Sequence, residues 1–248
     1  MSTVASFHLT RYPARHALGA MAGMVTGDRS LAAVPGLRFA RRLGTGAGSR
    51  MGLGADLCRW AMFAVWEGEA ALDDFLAASA IAAGWDRRGS ETWTVRLRPL
   101  SARGRWSGAR PLDATDATGA TATTEGGDGP VAVLTRARIG VRHWPAFYRS
   151  VPAVERHLRR QPGLLAVLGV GEAPVGLQAT FSLWRSAADV AVFAEGANPH
   201  AEVVRRTRTE GWFGEELFAR FRPYGSTGTW DGRDPLAALD RRAGGKGS

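Results

Sequence analysis

Several kinds of chemistry are excluded by what this 248-residue sequence lacks. Cys58 is its only cysteine, which excludes an internal disulfide and any metal cage built from several thiolates. Neither HExxH nor GxSxG occurs, so nothing indicates a zinc protease or a serine hydrolase. Lys246 is the only lysine, and the net charge of +9 therefore rests on arginines that are spread along the chain. Because no basic cluster is present, we expect no nucleic-acid partner.

Long apolar runs are also absent, since none reaches the roughly 18 residues of a membrane-spanning helix. The stretch ALGAMAGMVTG (17–27) has the composition of the apolar part of a signal peptide. It has an internal counterpart in mid-chain, however, so we expect a cytoplasmic protein. A basic chain can still be attracted to an anionic membrane surface, and peripheral membrane association and homodimer formation both stay open.

What the sequence does contain is a duplication. GRWSGARPL (104–112) recurs as GTWDGRDPL (228–236), 124 positions later, and RWAMFAVW (59–66) recurs as LQATFSLW (177–184), 118 positions later. Leu9-Thr10-Arg11 and Leu43-Gly44-Thr45-Gly46 each recur at an offset of 125. These phrases predict two copies of one unit, residues 1–112 and 130–238. The Thr/Ala/Gly-rich segment 113–129 is predicted to be a flexible linker, and residues 239–248 a disordered tail.

Each unit has strand and helix signals in the order βαββαβ, the ferredoxin-like arrangement. Two such units in one chain predict an α+β fold, a tandem duplicated ferredoxin-like protein whose sheets form a dimeric α+β barrel. The glycines at 44–54 and 169–171 lead into strands rather than helices. They therefore indicate turns between strands and not a dinucleotide-binding loop.

The third strand of the unit has diverged on one of its two faces. One face is apolar in both copies, with Ala61, Phe63 and Val65 in the first and Ala179, Phe181 and Leu183 in the second. The other face is Trp60, Met62, Ala64 and Trp66 in the first copy but Gln178, Thr180, Ser182 and Trp184 in the second. We expect the apolar face to pack against helices. The diverged face would then enclose a cavity between the two sheets that is suited to a large apolar ligand.

One histidine differs from the other four. Asn198 and Pro199 predict the start of a helix whose first turn carries His200, and the 118 offset gives Ala82 as its counterpart. A lone imidazole beside an apolar cavity is able to ligate haem iron. Glu215 or Glu216 is then expected to hold its other ring nitrogen. His8, His16, His143 and His157 are interpreted as surface or capping residues.

Several long phrases carry a family resemblance: LTRARI, LGVGEAPVGLQATFSLW, NPHAEVVRRTRTEGWFGEELFARF and GTWDGRDPL in the second half, and RRLGTGAG, WAMFAVW and TWTVRLRPLSARGRWSG in the first. Together they resemble the spheroidene monooxygenase family, the carotenoid-oxidising enzymes of purple bacteria. The resemblance implies a haem-dependent oxygenase that makes a keto group on an acyclic carotenoid by successive hydroxylation and loss of water. It also implies haem b with His200 as the ligand to iron.

The expected site combines the diverged strand face with this resemblance. Gln178, Thr180, Ser182 and Arg136 would be the catalytic residues, and His200, Trp184, Arg220 and Glu215 would bind the cofactor. The implied substrate is a carotenoid or another large apolar metabolite. An external ferredoxin or reductase would supply electrons. Two alternatives stay open: a haem enzyme that inserts no oxygen (a dehydratase, isomerase or bond-forming enzyme), and a cofactor-free monooxygenase or ligand-binding barrel.

Overall fold

A computed structural model describes residues 2–26, 28–46, 54–112, 129–173, 176–195 and 198–237. The strands are β1 (Val4–Arg11), β2 (Leu37–Gly46), β3 (Ala55–Trp66), β4 (Glu91–Gly104), β5 (Val131–Ile139), β6 (Leu164–Gly171), β7 (Leu177–Trp184) and β8 (Phe213–Gly228). The helices are α1 (Ala14–Thr26), α2 (Asp28–Ala32), α3 (Glu69–Ala78), α4 (Ala80–Arg88), α5 (Trp144–Arg159), α6 (Ala187–Ala194) and α7 (Pro199–Thr209). Of the predicted linker and tail, residues 113–128 and 239–248 lie outside the described residues.

The eight strands form one closed antiparallel barrel in the order β1-β3-β2-β6-β7-β5-β8-β4. Each half has the order expected of a ferredoxin-like unit, with its first strand between its third and fourth. Two seams join the halves: β4 pairs with β8 along most of its length, and β2 pairs with β6 at Gly44 and Thr45. Closure leaves no free sheet edge. The predicted fold class is confirmed.

The interior of the barrel is filled by apolar side chains from all eight strands. Phe7 from the first half and Phe181 from the second stack at the centre with centroids 3.9 Å apart. Ala61, Phe63 and Val65 belong to this interior cluster, as do their counterparts on β7. The two sheets therefore meet in a packed core, and the diverged face of the third strand points the other way.

The duplicated GxWxG phrase closes the two ends of the barrel. Trp106 stacks on Phe63 with centroids 5.9 Å apart, and Trp230 lies 5.4 Å from Trp93. Both tryptophans are part of the interior cluster. They fill the openings left where β4 and β8 end.

Each closing turn is held by the opposite half. Glu215 accepts hydrogen bonds from the backbone N–H groups of Ser107 and Gly108, and Glu91 accepts one from Gly232. Gly104, with φ 94°, lies so close to the Glu216 carbonyl oxygen that any Cβ would collide with it. The phrase occurs twice because each half supplies the turn that the other half holds.

The strand register corrects part of the repeat alignment. Val4 and Val131 lie opposite Trp66 and Trp184, so the first strands are related by an offset of 127 rather than 125. The second strands share this offset, whereas the predicted offsets of 118 and 124 hold for the third and fourth. The alignment of the first and second strands shifts by two residues, and an even shift keeps every side chain on the same face of its strand. It also means that Arg136 corresponds to Leu9 and not to Arg11.

Helices cover the outer surface of the barrel in two layers. The first layer packs on Val4, Met62, Ala64 and Trp66, and the second on Val131, Val133 and Trp184. Segment 17–27, which has the composition of a signal-peptide core, lies largely in α1, and this helix packs against β3. The sequence predicts one long second helix in repeat 1, but the structure ends α3 at Ala78. Ser79 then caps α4 by accepting from the Ala82 N–H. No helix in the described ranges combines the length and apolar character needed to span a membrane.

Candidate functional site

The diverged strand face lies under the helices of the second half and not between the sheets. The expectation of a cavity between the two sheets is wrong, because stacked aromatic side chains fill that space. The outward face of the second half forms three rows across β7, β5 and β8. The rows are Ser182, Val133 and Arg220; Thr180, Thr135 and Phe218; and Gln178, Ala137 and Glu216. Helices α5, α6 and α7 cover the side of the sheet that these rows share.

His200 enters this layer from the first turn of α7. Asn198 caps the helix by accepting from the Ala201 N–H, and Pro199 occupies the first turn, as the sequence predicts. Nδ1 of His200 is buried and has no hydrogen-bond partner among the described residues. Burial lowers the pKa of this imidazole, and the nearby His157 lowers it further. A neutral imidazole with an uncommitted ring nitrogen is therefore present under the helix layer.

An aromatic side chain contacts His200. Between ring centroids, Phe193 lies 4.5 Å from His200 and 5.5 Å from His157. Trp184 lies 5.4 Å from Phe193, which connects the imidazole to the sheet. Sequence analysis missed Phe193 and His157 as site residues. Phe193 carries a sequence signal, because it follows Phe75 at the 118 offset of the third strand. The structure gives Phe75 the matching contact, with Trp66 at 4.9 Å in the first half.

Two guanidinium groups flank another aromatic ring of the same layer. Arg220 and Arg103 lie 5.4 and 5.1 Å from the centroid of Phe218. Nε of Arg220 is buried without a hydrogen-bond partner among the described residues. Burial lowers the pKa of Arg220 and the positive charge of Arg103 adds to this, against an opposing effect of Glu195. A half-buried guanidinium whose Nε has no partner among the described residues is a candidate site for an anionic group.

In the first half, the arginine at the corresponding position has a carboxylate partner. Arg96 corresponds to Arg220, and it donates to the Asp73 carboxylate from α3. Asp73 and Ala191 each lie five residues after the cap of their helix, so α6 presents a methyl group where α3 presents a carboxylate. Among the described residues, α6 thus offers Arg220 no carboxylate at the position where α3 offers Asp73 to Arg96.

The three polar residues of β7 are not equivalent. The Ser182 hydroxyl accepts from Nε1 of Trp184 at 2.9 Å and lies 3.5 Å from the Val133 carbonyl oxygen. Its hydrogen bonds are therefore already used within the wall, as those of Ser6 are beside Trp66 in the first half. Thr180 and Gln178 are half-buried and face the helix layer from the next two rows. Both residues lie on the outward strand face that the helices cover.

Arg136 and Glu215, expected beside the cofactor, lie on the opposite face of the sheet. Arg136 is buried at one end of the barrel interior, where it pairs with Glu215 and, at 3.0 Å, with Glu172. Burial would raise the pKa of Glu215, but the N–H groups of Gly108 and Ser107, together with Arg136, hold it lower than usual. This position is incompatible with roles beside the cofactor, because Arg136 and Glu215 pair with each other at the end of the barrel, on the opposite side of the sheet.

His8 is also corrected by the structure, since it is neither a surface nor a capping residue. It is fully buried, with Nε2 2.7 Å from the Ser6 hydroxyl and Nδ1 3.0 Å from the Thr94 hydroxyl. Burial, with a contribution from Arg96, lowers its pKa to about 3. Both ring nitrogens are committed to hydrogen bonds, so His8 has no nitrogen left for a metal.

The residues of the second layer match the chemical demands of a haem. His200 offers a neutral, buried and unpartnered ring nitrogen, the donor type that ligates haem iron. Arg220 and Arg103 are placed to neutralise carboxylates such as the haem propionates. Phe193, Trp184 and Phe218 supply aromatic surface of the kind that lines cofactor pockets. The fit rests on these orphaned polar atoms and their aromatic surroundings.

The barrel defines a class, the tandem ferredoxin-like α+β barrels. A solved structure of aldoxime dehydratase in complex with butyraldoxime has this fold at a TM-score of 0.58 and 10% identity, covering 96% of this chain and 85% of that one. At this identity the likeness concerns the fold alone. No family model matches the chain.

Curated relatives identify the family. The spheroidene monooxygenase of Rhodobacter capsulatus is 35% identical over 236 residues, covering 95% of this chain and 96% of the relative. The spheroidene monooxygenase of Cereibacter sphaeroides is 35% identical over 210 residues, and the chain spans 61% of its length. The chain belongs to the spheroidene monooxygenase family, and it is a monooxygenase and so an oxidoreductase.

Proposed function

We propose that this protein is a haem-dependent monooxygenase that oxidises an acyclic carotenoid or a similarly large apolar metabolite. The observation that carries the proposal is the pair of orphaned polar atoms in one helix layer, Nδ1 of His200 and Nε of Arg220. Buried polar groups are normally satisfied, so a ligand that offers both a metal and an anion explains the two together. Membership of the spheroidene monooxygenase family supports the reaction type and the carotenoid class of substrate.

Each residue has a defined part in this proposal. His200 would ligate the iron, while Arg220 and Arg103 would bind the propionates and so fix the orientation of the ring. Bound haem would supply the activation of O₂, one oxygen atom of which enters a C–H bond while the other leaves as water. Two electrons are needed for each turnover, and an external ferredoxin or reductase would deliver them.

The chain's own side chains would then position the substrate. The aromatic walls at Trp184, Phe193 and Phe218 exclude water and hold an apolar chain by burial. Thr180 and Gln178 lie on the outward strand face that the helices cover, and they would hold the hydroxyl group that the first oxidation creates. Retention of this hydroxylated product is what a second oxidation of the same carbon requires.

Haemin titration tests the cofactor. The wild-type protein is expected to bind one haemin per chain, with a Soret band that shifts on reduction and on addition of carbon monoxide. His200→Ala is expected to lose this band or its position, whereas His16→Ala on α1, in the other half, keeps it. An unchanged spectrum in His200→Ala would move the iron ligand elsewhere.

Turnover with isotopically labelled O₂ tests the reaction. We expect the label in the carotenoid product only when ferredoxin, its reductase and haem are all present. Product formed without reductant, and without label, would instead indicate a haem enzyme that inserts no oxygen. Turnover by protein freed of haem would favour a cofactor-free barrel.

A further inference from the structure

The first half of the barrel contains a cavity of its own. It has a volume of about 200 Å³ and lies between the outward sheet face of β1 and β3 and helices α1 and α4. Its apolar lining includes Trp60, Met62, Ile81 and Trp85. Arg42 and Arg88 are also among its lining residues.

The barrel's internal symmetry relates this cavity to the site around His200. Trp60 and Met62 occupy the positions of Gln178 and Thr180 in the matched strands. Ile81 and His200 both lie two residues after a helix cap, Ser79 in α4 and Asn198 in α7. Alignment by these caps replaces the predicted Ala82 by Ile81 as the counterpart of His200. The same place in the fold is thus apolar in one half and polar in the other.

The chemistry of the first-half cavity differs from that of the second. Its lining includes His8, whose ring nitrogens are both hydrogen-bonded and so offer iron no ligand. Its cationic groups lie close to Tyr12, which is buried. Burial raises the pKa of this phenol, while Arg88 and Arg42 oppose the rise through their charges. Two guanidinium groups and a neutral phenol thus converge beside an apolar pocket.

We propose that this cavity is a second binding site, which takes the carboxylate group and the first part of the chain of an aliphatic acid. The chain would lie against Met62, Trp60 and Trp85, and the carboxylate would accept from Arg88, Arg42 and the Tyr12 hydroxyl. Apolar burial and charge-assisted hydrogen bonds are the two contributions that such a ligand combines. The site goes beyond the proposed oxygenase function and does not depend on haem.

Calorimetric titration with decanoate, below its micelle concentration, tests the proposal, with decanol as the uncharged comparison. Wild-type protein is expected to bind decanoate with a 1:1 stoichiometry and decanol at least about tenfold more weakly, the factor that one charge-assisted contact supplies. Equal binding of the two compounds, or no binding of decanoate, would overturn the proposal.

Matched variants locate the site. Arg88→Gln removes a lining guanidinium, and Arg87→Gln removes the same charge from the neighbouring residue. Both side chains are exposed, but only Arg88 is among the lining residues. We expect decanoate binding to weaken about tenfold in the first and to stay within about twofold in the second. Ala80→Phe fills the cavity from an exposed lining position and is expected to abolish binding while α4 stays folded by circular dichroism. Decanoate binding that survives Ala80→Phe, or that responds equally to the two arginine changes, would contradict the site.

His200→Ala separates this proposal from the one on haem. This variant is expected to bind decanoate as the wild type does, whatever happens to its haem. Loss of decanoate binding in His200→Ala, with normal binding in Arg88→Gln, would place the acid in the second half and refute the assignment.

Discussion

Ala191→Asp moves into the second half the carboxylate that neutralises the matching arginine in the first. Asp73 accepts from Arg96 with side-chain exposures of 56% and 28%, and Ala191 is the residue at the corresponding position of α6. We expect the new carboxylate to pair with Arg220. The substitution thus asks whether the unpaired state of this arginine serves ligand binding.

Two contributions set the size of the effect. A partly exposed ion pair adds between about 0.2 and 1 kcal/mol, and a partner for a buried donor removes part of a cost of about 1–3 kcal/mol. The expected gain in the free energy of unfolding without ligand is therefore about 1 kcal/mol, measured by urea denaturation. Haemin affinity should fall at least about tenfold in an absorption titration, because a propionate must now displace the introduced carboxylate from Arg220.

Val192→Asp is the matched control. It adds the same charge one residue along the same helix, but Val192 is 69% exposed and faces solvent. We expect no gain in stability and less than about a twofold change in haemin affinity. If Ala191→Asp and Val192→Asp bind haemin equally and unfold at the same urea concentration, the argument from the orphaned Arg220 is refuted.

Three further outcomes test the fold and its corrected residues. The pKa of His8 is about 3 when folded and about 6.5 in an unfolded chain, so acid favours the unfolded state. His8→Gln should then reduce the loss of stability between pH 6.5 and 5 by about 2 kcal/mol in urea titrations, whereas His16→Gln should not. Trp106→Ala should cost about 3–5 kcal/mol by chemical denaturation, because it empties a fully buried barrel end, and a cost under about 1 kcal/mol would deny that role. Glu215→Gln should lower the thermal midpoint without moving the haem Soret band, and a shifted band would return Glu215 to the haem site.

The duplication made most of the fold predictable from sequence. Repeated phrases such as GRWSG and GTWDG fix two copies of one unit, and the βαββαβ order leaves few ways to close them. The two-residue error in the first and second strands leaves no sign in the sequence, because the phrases that recur at an offset of 125 keep the same faces. The start of α7 was also predictable, since Asn198 and Pro199 correctly predict the cap and the first residue of this helix.

The direction of each strand face was not predictable from alternation alone. Both faces of β3 are apolar, so burial against helices and burial inside the barrel leave the same pattern along the strand. Arg136 and Glu215 were misplaced for a related reason, because a charged residue near the end of a strand gives no sign of whether it enters a barrel mouth or a ligand layer. The two placements, in a barrel mouth or in a ligand layer, are distinguished only by contacts across the barrel. Arg136 makes such contacts with Glu215 and Glu172.

The diverged face of the third strand points towards the helices, and this placement explains how the two halves can differ there. A barrel interior is shared by both halves, so a polar change there would disturb one common core. The helix layers are separate, however, and each contains only the residues of one half and of the adjoining strand. Trp60 and Met62 can therefore differ from their counterparts Gln178 and Thr180 without any effect on the packing of Phe7 on Phe181. The two proposed sites therefore lie in separate helix layers of one scaffold, so loss of haem binding through His200 should leave the proposed acid-binding cavity of the first half intact.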